Sequence, residues 1–377
     1  MAIYVVRAGD TLEAIASEFN REVSELSEIN QIPYPYRMAV GQALLIPERN
    51  ENDVSRRSVQ SGGYAYPFIS NWVLDQTLPY LTKLFIFSYG FTTEGELIPP
   101  ARSEDFMLEK AGQTGVLPIL VLTPLGADGR FSNILIQRMV NDSTVKENLI
   151  NHLLEVVQEK GYAGVDVDFE YILAEDRDLF TSFVAELSEA MREIGKTVSV
   201  ALAPKTSADQ QGLLYQGKDY GGLGAVADEV LLMTYEWGYT YGPAMAVAPL
   251  NKVRQVVEYA LTEIPAEKIN LGIANYGYDW TLPYVKGESK AVTIGNVEAV
   301  QIAIENGVEI QFDKVVRSPF FQYEKEGRTH EVWFEDVRSL QGKYDLIKEF
   351  GLRGFGVWQI MRFFRAEWEL MLENFTI

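Results

Sequence analysis

The stretch Tyr162-Ala163-Gly164-Val165-Asp166-Val167-Asp168-Phe169-Glu170-Tyr171 sets acids at every second position, with apolar residues between them. Successive side chains of an extended strand point to opposite faces. Asp166, Asp168 and Glu170 therefore share one face, and Val165, Val167 and Phe169 share the other. A surface strand with solvated acids has no need of so apolar an opposite face. The strand is expected to lie between layers, its carboxyls turned to an interior. Like charges this close cannot all ionise, so protons are shared or pKa values rise. A carboxyl kept protonated near neutral pH is a general acid, and Glu170, at the outer end of the column, is the candidate. Acidic triads also hold Mg²⁺ or Ca²⁺, the other chemistry open to this pattern.

A column of this kind needs a scaffold with a buried interior. From Ser58 onward, apolar strand-like runs alternate with amphipathic helices. Strands are expected near Gly63–Tyr66, Lys83–Ser88, Leu117–Leu122, Gly164–Glu170, Thr197–Ala203, Glu229–Tyr235, Asn270–Asn275 and Gly354–Trp358. Ser143 to Lys160 reads as a helix capped by Ser143 or Asp142, with Val145, Leu149, Ile150, Leu153, Val156 and Val157 on one stripe. Asp176 to Ile194 reads as another, stopped by Gly195. Alternating strands and helices imply parallel strands joined by right-handed crossovers. Units of this number and length predict an α/β fold, a (β/α)8 TIM barrel, with an open doubly wound sheet as the alternative. No Gly-x-Gly-x-x-Gly follows a strand, which argues against a dinucleotide site.

The gap before the last strand is too long for one crossover. Thr293 to Gly342 carries a helix (Asn296–Asn306), strand-like pieces (Val308–Val316, Ser318–Tyr323, His330–Phe334) and a turn at Glu326-Gly327. It is read as a small α+β insertion on the same face as the acids, within residues 283–342. The barrel is assigned residues 58–377, and the polar, aperiodic residues 49–57 a linker.

Residues 1–48 form a separate pattern. A short strand at Ile3–Val6 turns at Gly9-Asp10-Thr11 into a helix with Leu12, Ile15, Ala16 and Phe19 on one face. A second helix spans Val23–Ile29, and Ala43–Ile46 closes the unit as a strand. So small a βααβ module has too little core for an active site and suits binding.

The 377 residues include 53 Asp+Glu against 33 Lys+Arg, a formal net charge of -20. Such a surface repels nucleic acid and acidic membranes but not neutral polysaccharides. There is no cysteine, which excludes disulfides and thiolate metal sites. The start MAIYVVRAGDTLEAIA lacks the layout of a secretion signal, and no apolar run is long enough to span a membrane. Tyr, Phe and Trp number 20, 19 and 6, enough to line a sugar-binding cleft as well as a core.

The N-terminal module, with Tyr4-Val5-Val6-Arg7-Ala8-Gly9-Asp10-Thr11-Leu12, Ile15-Ala16, Asn30 and Leu45-Ile46-Pro47, resembles a LysM domain. The resemblance implies binding of N-acetylglucosamine-containing glycans, peptidoglycan or chitin, through Gly9, Asp10 and Thr11 and through Ile29, Asn30, Gln31 and Ile32. The Asp-x-Asp-x-Glu column after Gly164 resembles the signature of family 18 glycoside hydrolases, whose first Asp is here Ala163. The family's Ser-x-Gly-Gly is replaced by Leu120-Val121-Leu122-Thr123, and its Met-x-Tyr-Asp by Met233-Thr234-Tyr235-Glu236. These departures, with the LysM module, are similar to the spore germination and cortex-lytic branch of that family.

That resemblance implies a glycosidase without cofactor or metal, retaining and substrate-assisted, in which the sugar's own acetamido group attacks. It implies Glu170 as acid, Asp168 holding the acetamido N–H, Asp166 tuning Asp168, and Tyr235 on the acetamido oxygen. Trp358 would floor the sugar, with Met233, Glu236, Tyr276 and Tyr278 lining the cleft; Asn275 to Trp280 is read as the end of the seventh strand. The implied substrate is peptidoglycan, in particular spore cortex fragments, at the cell wall or spore. A chitinase and a catalytically inert glycan-binding protein are the alternatives.

Overall fold

The computed structural model describes residues 1–48 and 56–377, so nearly all of the linker expected at 49–57 lies outside the described residues. In chain order, β1 (Ala2–Val5), α1 (Leu12–Glu18), α2 (Val23–Ile29) and β2 (Ala43–Ile46) make the small module. There follow β3 (Gln60–Ala65), α3 (Asn71–Thr77), β4 (Lys83–Phe91), β5 (Leu97–Ile98), α4 (Asp105–Thr114), β6 (Leu117–Leu122), α5 (Asn133–Asn141) and α6 (Ser143–Lys160). Then come β7 (Gly164–Val167), α7 (Arg177–Glu193), β8 (Thr197–Leu202), α8 (Tyr220–Val226), β9 (Glu229–Leu232), α9 (Leu250–Glu263) and β10 (Ile269–Ala274). The last third holds β11 (Gly277–Thr281), β12 (Val292–Ile294), α10 (Asn296–Asn306), β13 (Gln311–Asp313), β14 (Ser318–Lys325), β15 (Arg328–Trp333), α11 (Val337–Phe350), β16 (Gly354–Trp358) and α12 (Arg365–Asn374).

Strands β3, β4, β6, β7, β8, β9, β10 and β16 pair in parallel in that order, and β16 closes back on β3. This is the closed (β/α)8 barrel expected from the alternation of elements. Its strands are apolar on both faces because helices cover the outside and side chains fill the inside. Val165, Val167 and Phe169 join the layer between strands and helices, with Phe180 and Phe183 of α7. Tyr64, Phe85, Phe87, Ile119, Val121 and Leu231 fill the interior. Helix α6 shows why these boundaries are sharp. Asp142 caps the amides of Thr144 and Val145, and Gly161, at φ 75°, ends the helix in the left-handed region.

Two strands stop earlier than the sequence reading places them. β7 ends at Val167 rather than Glu170, and β9 at Leu232 rather than Tyr235. Past these points the regular ladder gives way to single bonds. Asp168 N–H still donates to Leu122 O at 2.9 Å, while Tyr235 N–H turns back to Met233 O.

The insertion is also reassigned. Asn275 to Trp280 does not end the seventh barrel strand. β10 stops at Ala274, and β11 opens a separate antiparallel sheet of order β12-β11-β15-β14-β13. Gly277 permits this, since a Cβ there would lie 2.4 Å from Trp333 O. The sheet runs from β11 to β15 instead of over 283–342. Residues 337–342 belong to α11, a barrel helix whose Asp336 cap accepts from the Arg338 and Ser339 amides. Tyr276 and Tyr278 therefore sit on the insertion side of the cleft.

The N-terminal module is docked on this body. Leu45 of β2 joins the barrel's core, and Ala39 joins the core of the inserted sheet. Gly41, at φ 83°, runs so close to the insertion that a Cβ would lie 1.8 Å from Ile310 O. Arg338 Nη2 donates to Gly41 O at 3.1 Å, Gln31 Nε2 to Phe363 O at 3.3 Å, and Arg365 N–H to Gln31 Oε1 at 2.7 Å.

Behind this junction lies a wholly buried polar group. Lys343 Nζ pairs with Glu335 Oε2 at 2.6 Å, while neither carboxyl oxygen of Glu367 has a hydrogen-bond partner among the described residues. Burial, helped by the charge of Glu335, pushes the Glu367 carboxyl up to about 8 from an ordinary 4.5. The unfolded chain thus releases this proton at lower pH than the native one, and stability from this position falls as pH rises between those values. One proton corresponds to about 1.4 kcal/mol per pH unit. Glu367→Gln should therefore flatten that slope. Urea unfolding at about pH 5 and about pH 8 should show the variant gaining on its parent at the higher pH.

Candidate active site

The acidic column stands at the C-terminal mouth of the barrel, where catalytic groups of this architecture collect. Asp166 is fully buried. Its Oδ1 accepts from Ser199 Oγ at 2.5 Å and its Oδ2 from Tyr64 OH at 3.0 Å. Burial pushes the Asp166 carboxyl up to about 6, against the pull of those two hydrogen bonds. One step outward, Asp168 is 9% exposed and its Oδ1 is buried without a hydrogen-bond partner among the described residues. Burial raises its pKa first, and the charges of Glu170 and Asp166 raise it further. Glu170 reaches solvent at the rim, yet the protein crowding around it raises its carboxyl, with Glu236 adding to the effect. Desolvation and like neighbouring charges act together here, and the column must hold protons near neutrality.

The sequence reading brought most of this site together. Tyr235 and Met233 leave the end of β9 beside the column, and burial first, then the carboxyls of Asp168, Glu170, Glu236 and Asp166, raise the Tyr235 phenol. Trp358, at the end of β16, stands edge-on to Phe87 (5.0 Å), Tyr64 (5.8 Å) and Tyr66 (6.1 Å), between ring centroids. The second wall is a fixed unit: Tyr276 OH and Tyr278 OH donate to the same Glu236 Oε1, at 3.2 and 3.1 Å. Glu236 holds φ 66°, a left-handed conformation that aims its carboxylate across the cleft.

The residues expected to bind glycan in the small module lie apart from the barrel mouth. Gly9 and Thr11 are exposed. Asp10 closes its turn, accepting from Tyr4 OH and Arg7 N–H, both at 2.8 Å. On the second loop, Ile29 packs against the barrel's core and Ile32 is buried. Asn30 and Gln31 differ from their expected role, because their side-chain polar atoms serve the fold. Asn30 ties Leu26 O to both backbone groups of Leu45, and Gln31 holds the barrel loop as described above.

Three polar residues of the site escaped the sequence reading. Tyr64 and Ser199 are inward-facing partners of Asp166, and strand parity could have found Ser199, since Val198 and Val200 face the helices. Lys218 had no such signal, being in an aperiodic loop before α8. It is fully buried, its Nζ donates to Ala201 O at 3.0 Å, and it lies over the Phe180 ring at 5.6 Å. Its charge lowers the pKa of both Asp168 and Glu170, and burial lowers its own.

A barrel with an acidic column on its fourth strand and an aromatic floor on its eighth defines a class. The chain belongs to the glycosyl hydrolases family 18, which its residues 121–362 match, and residues 4–47 match the LysM domain family. It is a glycosidase with a glycan-binding module. Among its relatives is the cortical fragment-lytic enzyme of Bacillus subtilis (strain 168), 37% identical across 100% of this chain and 99% of that protein. A putative sporulation-specific glycosylase of the same organism, YdhD, is 34% identical across 100% of this chain and 88% of its own length. The crystal structure of the spore cortex-lytic enzyme SleL from Bacillus megaterium superposes with a TM-score of 0.93 at 32% identity, covering 99% of this chain and 98% of that one.

Lys218 offers a direct test of the site's electrostatics. Removing its positive charge with Lys218→Met should raise the pKa of Asp168 and of Glu170 together. The pH–rate profile should then move to higher pH on both limbs, where a purely structural loss would lower the rate without moving it.

Proposed function

We propose that this glycosidase cleaves N-acetylglucosamine-containing glycan of peptidoglycan, in particular spore cortex fragments, with retention of configuration and with the substrate's acetamido group as nucleophile. One observation carries the reading: the buried, unpartnered Oδ1 of Asp168 between two other acids. A carboxylate acting as nucleophile would need no such column. A carboxyl that must accept an acetamido N–H and then face a developing oxazolinium cation gains from a neighbour with which to share a proton. Asp166, anchored by Tyr64 and Ser199, is that neighbour.

The roles follow along the strand. Glu170, solvent-reachable and raised in pKa, protonates the leaving oxygen and then takes a proton from water. Asp168 orients the acetamido group and stabilises its positive charge. Tyr235 donates to the acetamido oxygen, drawing it toward the anomeric carbon. Trp358 receives the apolar face of the ring, while Glu236, held by Tyr276 and Tyr278, and Met233 line the sugar's flank. The names of the relatives support cortex as the substrate and the spore cortex or cell wall as the place of action.

Glu170→Gln should lower turnover on cortex muropeptides by roughly 10²–10⁴-fold and leave binding largely intact. NMR of the first product should show the same anomeric configuration as the substrate; an inverted product contradicts the mechanism. Mass spectrometry of digests decides the polymer. Release of fragments with N-acetylglucosamine at the reducing end from cortex, exceeding release from chitin oligomers, is the expected result, and preference for chitin favours a chitinase instead.

A further inference from the structure

The glycan-binding module, the barrel and the insertion enclose a second cleft of about 830 Å³, beside the barrel mouth. Its walls come from the Gln31–Pro33 loop, from Trp72 and Val73 at the start of α3, from Asn296–Glu298 and Gln301 of α10, and from Arg362 and Phe363 after β16. The cleft shares Gln31 and Ile32 with the second expected binding loop of the small module but not its Gly9–Thr11 loop, and adds walls from the barrel and the insertion.

Its chemistry fits an uncharged sugar polymer. Trp72 is 58% exposed, an unusual state for an indole, and Phe363 meets it at 79° with ring centroids 5.2 Å apart. Beside this ring contact Trp72 keeps more than half of its surface exposed to solvent. A flat indole face matches the apolar face of a pyranose. The cations at the cleft are already neutralised: Arg362 pairs with Glu298 at 3.1 Å, and Arg365 with Glu28 at 3.3 Å. No uncompensated charge of these pairs remains to attract an ion, while Gln301 adds amide donors and acceptors for hydroxyl and acetamido groups.

Its position fits the same strand that enters the barrel. β3 and β16 are paired neighbours, Val357 opposite Gly63. The loop after β3 carries Tyr66 and Phe68 and leads to Trp72 at the start of α3, and the loop after β16 carries Phe363 just beyond Trp358. Tyr66 meets Trp358 on one side and stacks on Phe68, 55% exposed, on the other, at 5.0 Å and 26°. An aromatic line thus leaves the floor of the catalytic cleft along the two loops that border the second cleft.

We infer that this cleft is a remote subsite for an N-acetylglucosamine-containing glycan strand, with Trp72 as its stacking platform, engaging sugars outside those at the cleaved bond. The inference rests on the glycan reading above. The site requires the module to stay docked, which the Gln31 and Gly41 contacts ensure.

The test uses the full chain and Trp72→Ala, which exchanges an exposed side chain and should leave the melting temperature unchanged. Substrates are peptide-stripped peptidoglycan strands, long chitin oligosaccharides and, from each polymer, fragments too short to span both clefts. The expected result is a roughly ten-fold rise in KM on long strands, with kcat on them and both constants on short fragments as in the parent. The polymer showing the larger rise identifies which strand the subsite serves. Parental constants on long strands overturn the inference alone, as does an equal loss on long and short substrates. A parent that cleaves neither polymer overturns the glycan reading and the subsite with it.

Discussion

Carboxyl groups stacked on one face of a buried strand cannot all be charged, and the rest of the site is arranged around that fact. Asp166 stands on β7 and Asp168 and Glu170 on the chain just past its end, and the alternate residues Val165, Val167 and Phe169 seal the reverse face against helices. The strand cannot turn its acids outward without burying polar groups under α7 or exposing that apolar face. The protein meets the cost in graded steps. Asp166 has two hydrogen-bond donors, Asp168 keeps a free oxygen, and Glu170 reaches water. Lys218 brings a buried positive charge to bear on the outer pair.

The foot of the barrel shows how the same fold treats an acid that has no chemical task. Glu229 is as buried as Asp166, but it pairs with Lys83, accepts from Arg353 at 2.8 Å and accepts from Asn270 at 3.1 Å. Its carboxyl is drawn below the ordinary range, chiefly because Lys83 and Arg353 outweigh burial. A buried charge that is fully matched is a structural solution. The outer acids of the column, Asp168 and Glu170, feel the charge of Lys218 without any ion pair as close as that of Glu229 among the described residues, and that imbalance keeps their carboxyls raised. In the proposed function, the aromatic shell of Trp358, Tyr66, Phe87 and Tyr64 is the surface on which a sugar would meet the protons of these acids.

Much of this was legible in the chain because periodicity reports burial. The parity of residues 165–170 separated acids from core, and the alternation of apolar runs with capped helices gave the barrel; α6, α10, β6 and β16 fall where the pattern put them. What failed to show was whatever depended on partners remote in sequence. The early ends of β7 and β9 depend on pairing with neighbouring strands, which no local pattern records. The apolar residues around Tyr276 to Trp280 look like a strand and are one, but the sheet they join is set by β15. Asn30 and Gln31 belong to a binding loop by pattern, yet their side chains brace the module and its contact with the barrel, a choice made by Leu45 and Phe363. Lys218 stands in a loop with no period at all, so only the folded chain brings its charge to the acids.

The central claim is that protons reside on the acidic column near neutral pH. ¹³C NMR of the full-length protein, labelled at aspartate and glutamate carboxyls and assigned with Asp→Asn and Glu→Gln variants, measures this directly. The account predicts that Asp166 titrates near 6 and that Asp168 and Glu170 titrate above the ordinary carboxylate range, with linked curves. Independent titrations of all of these groups near about 4 would contradict it.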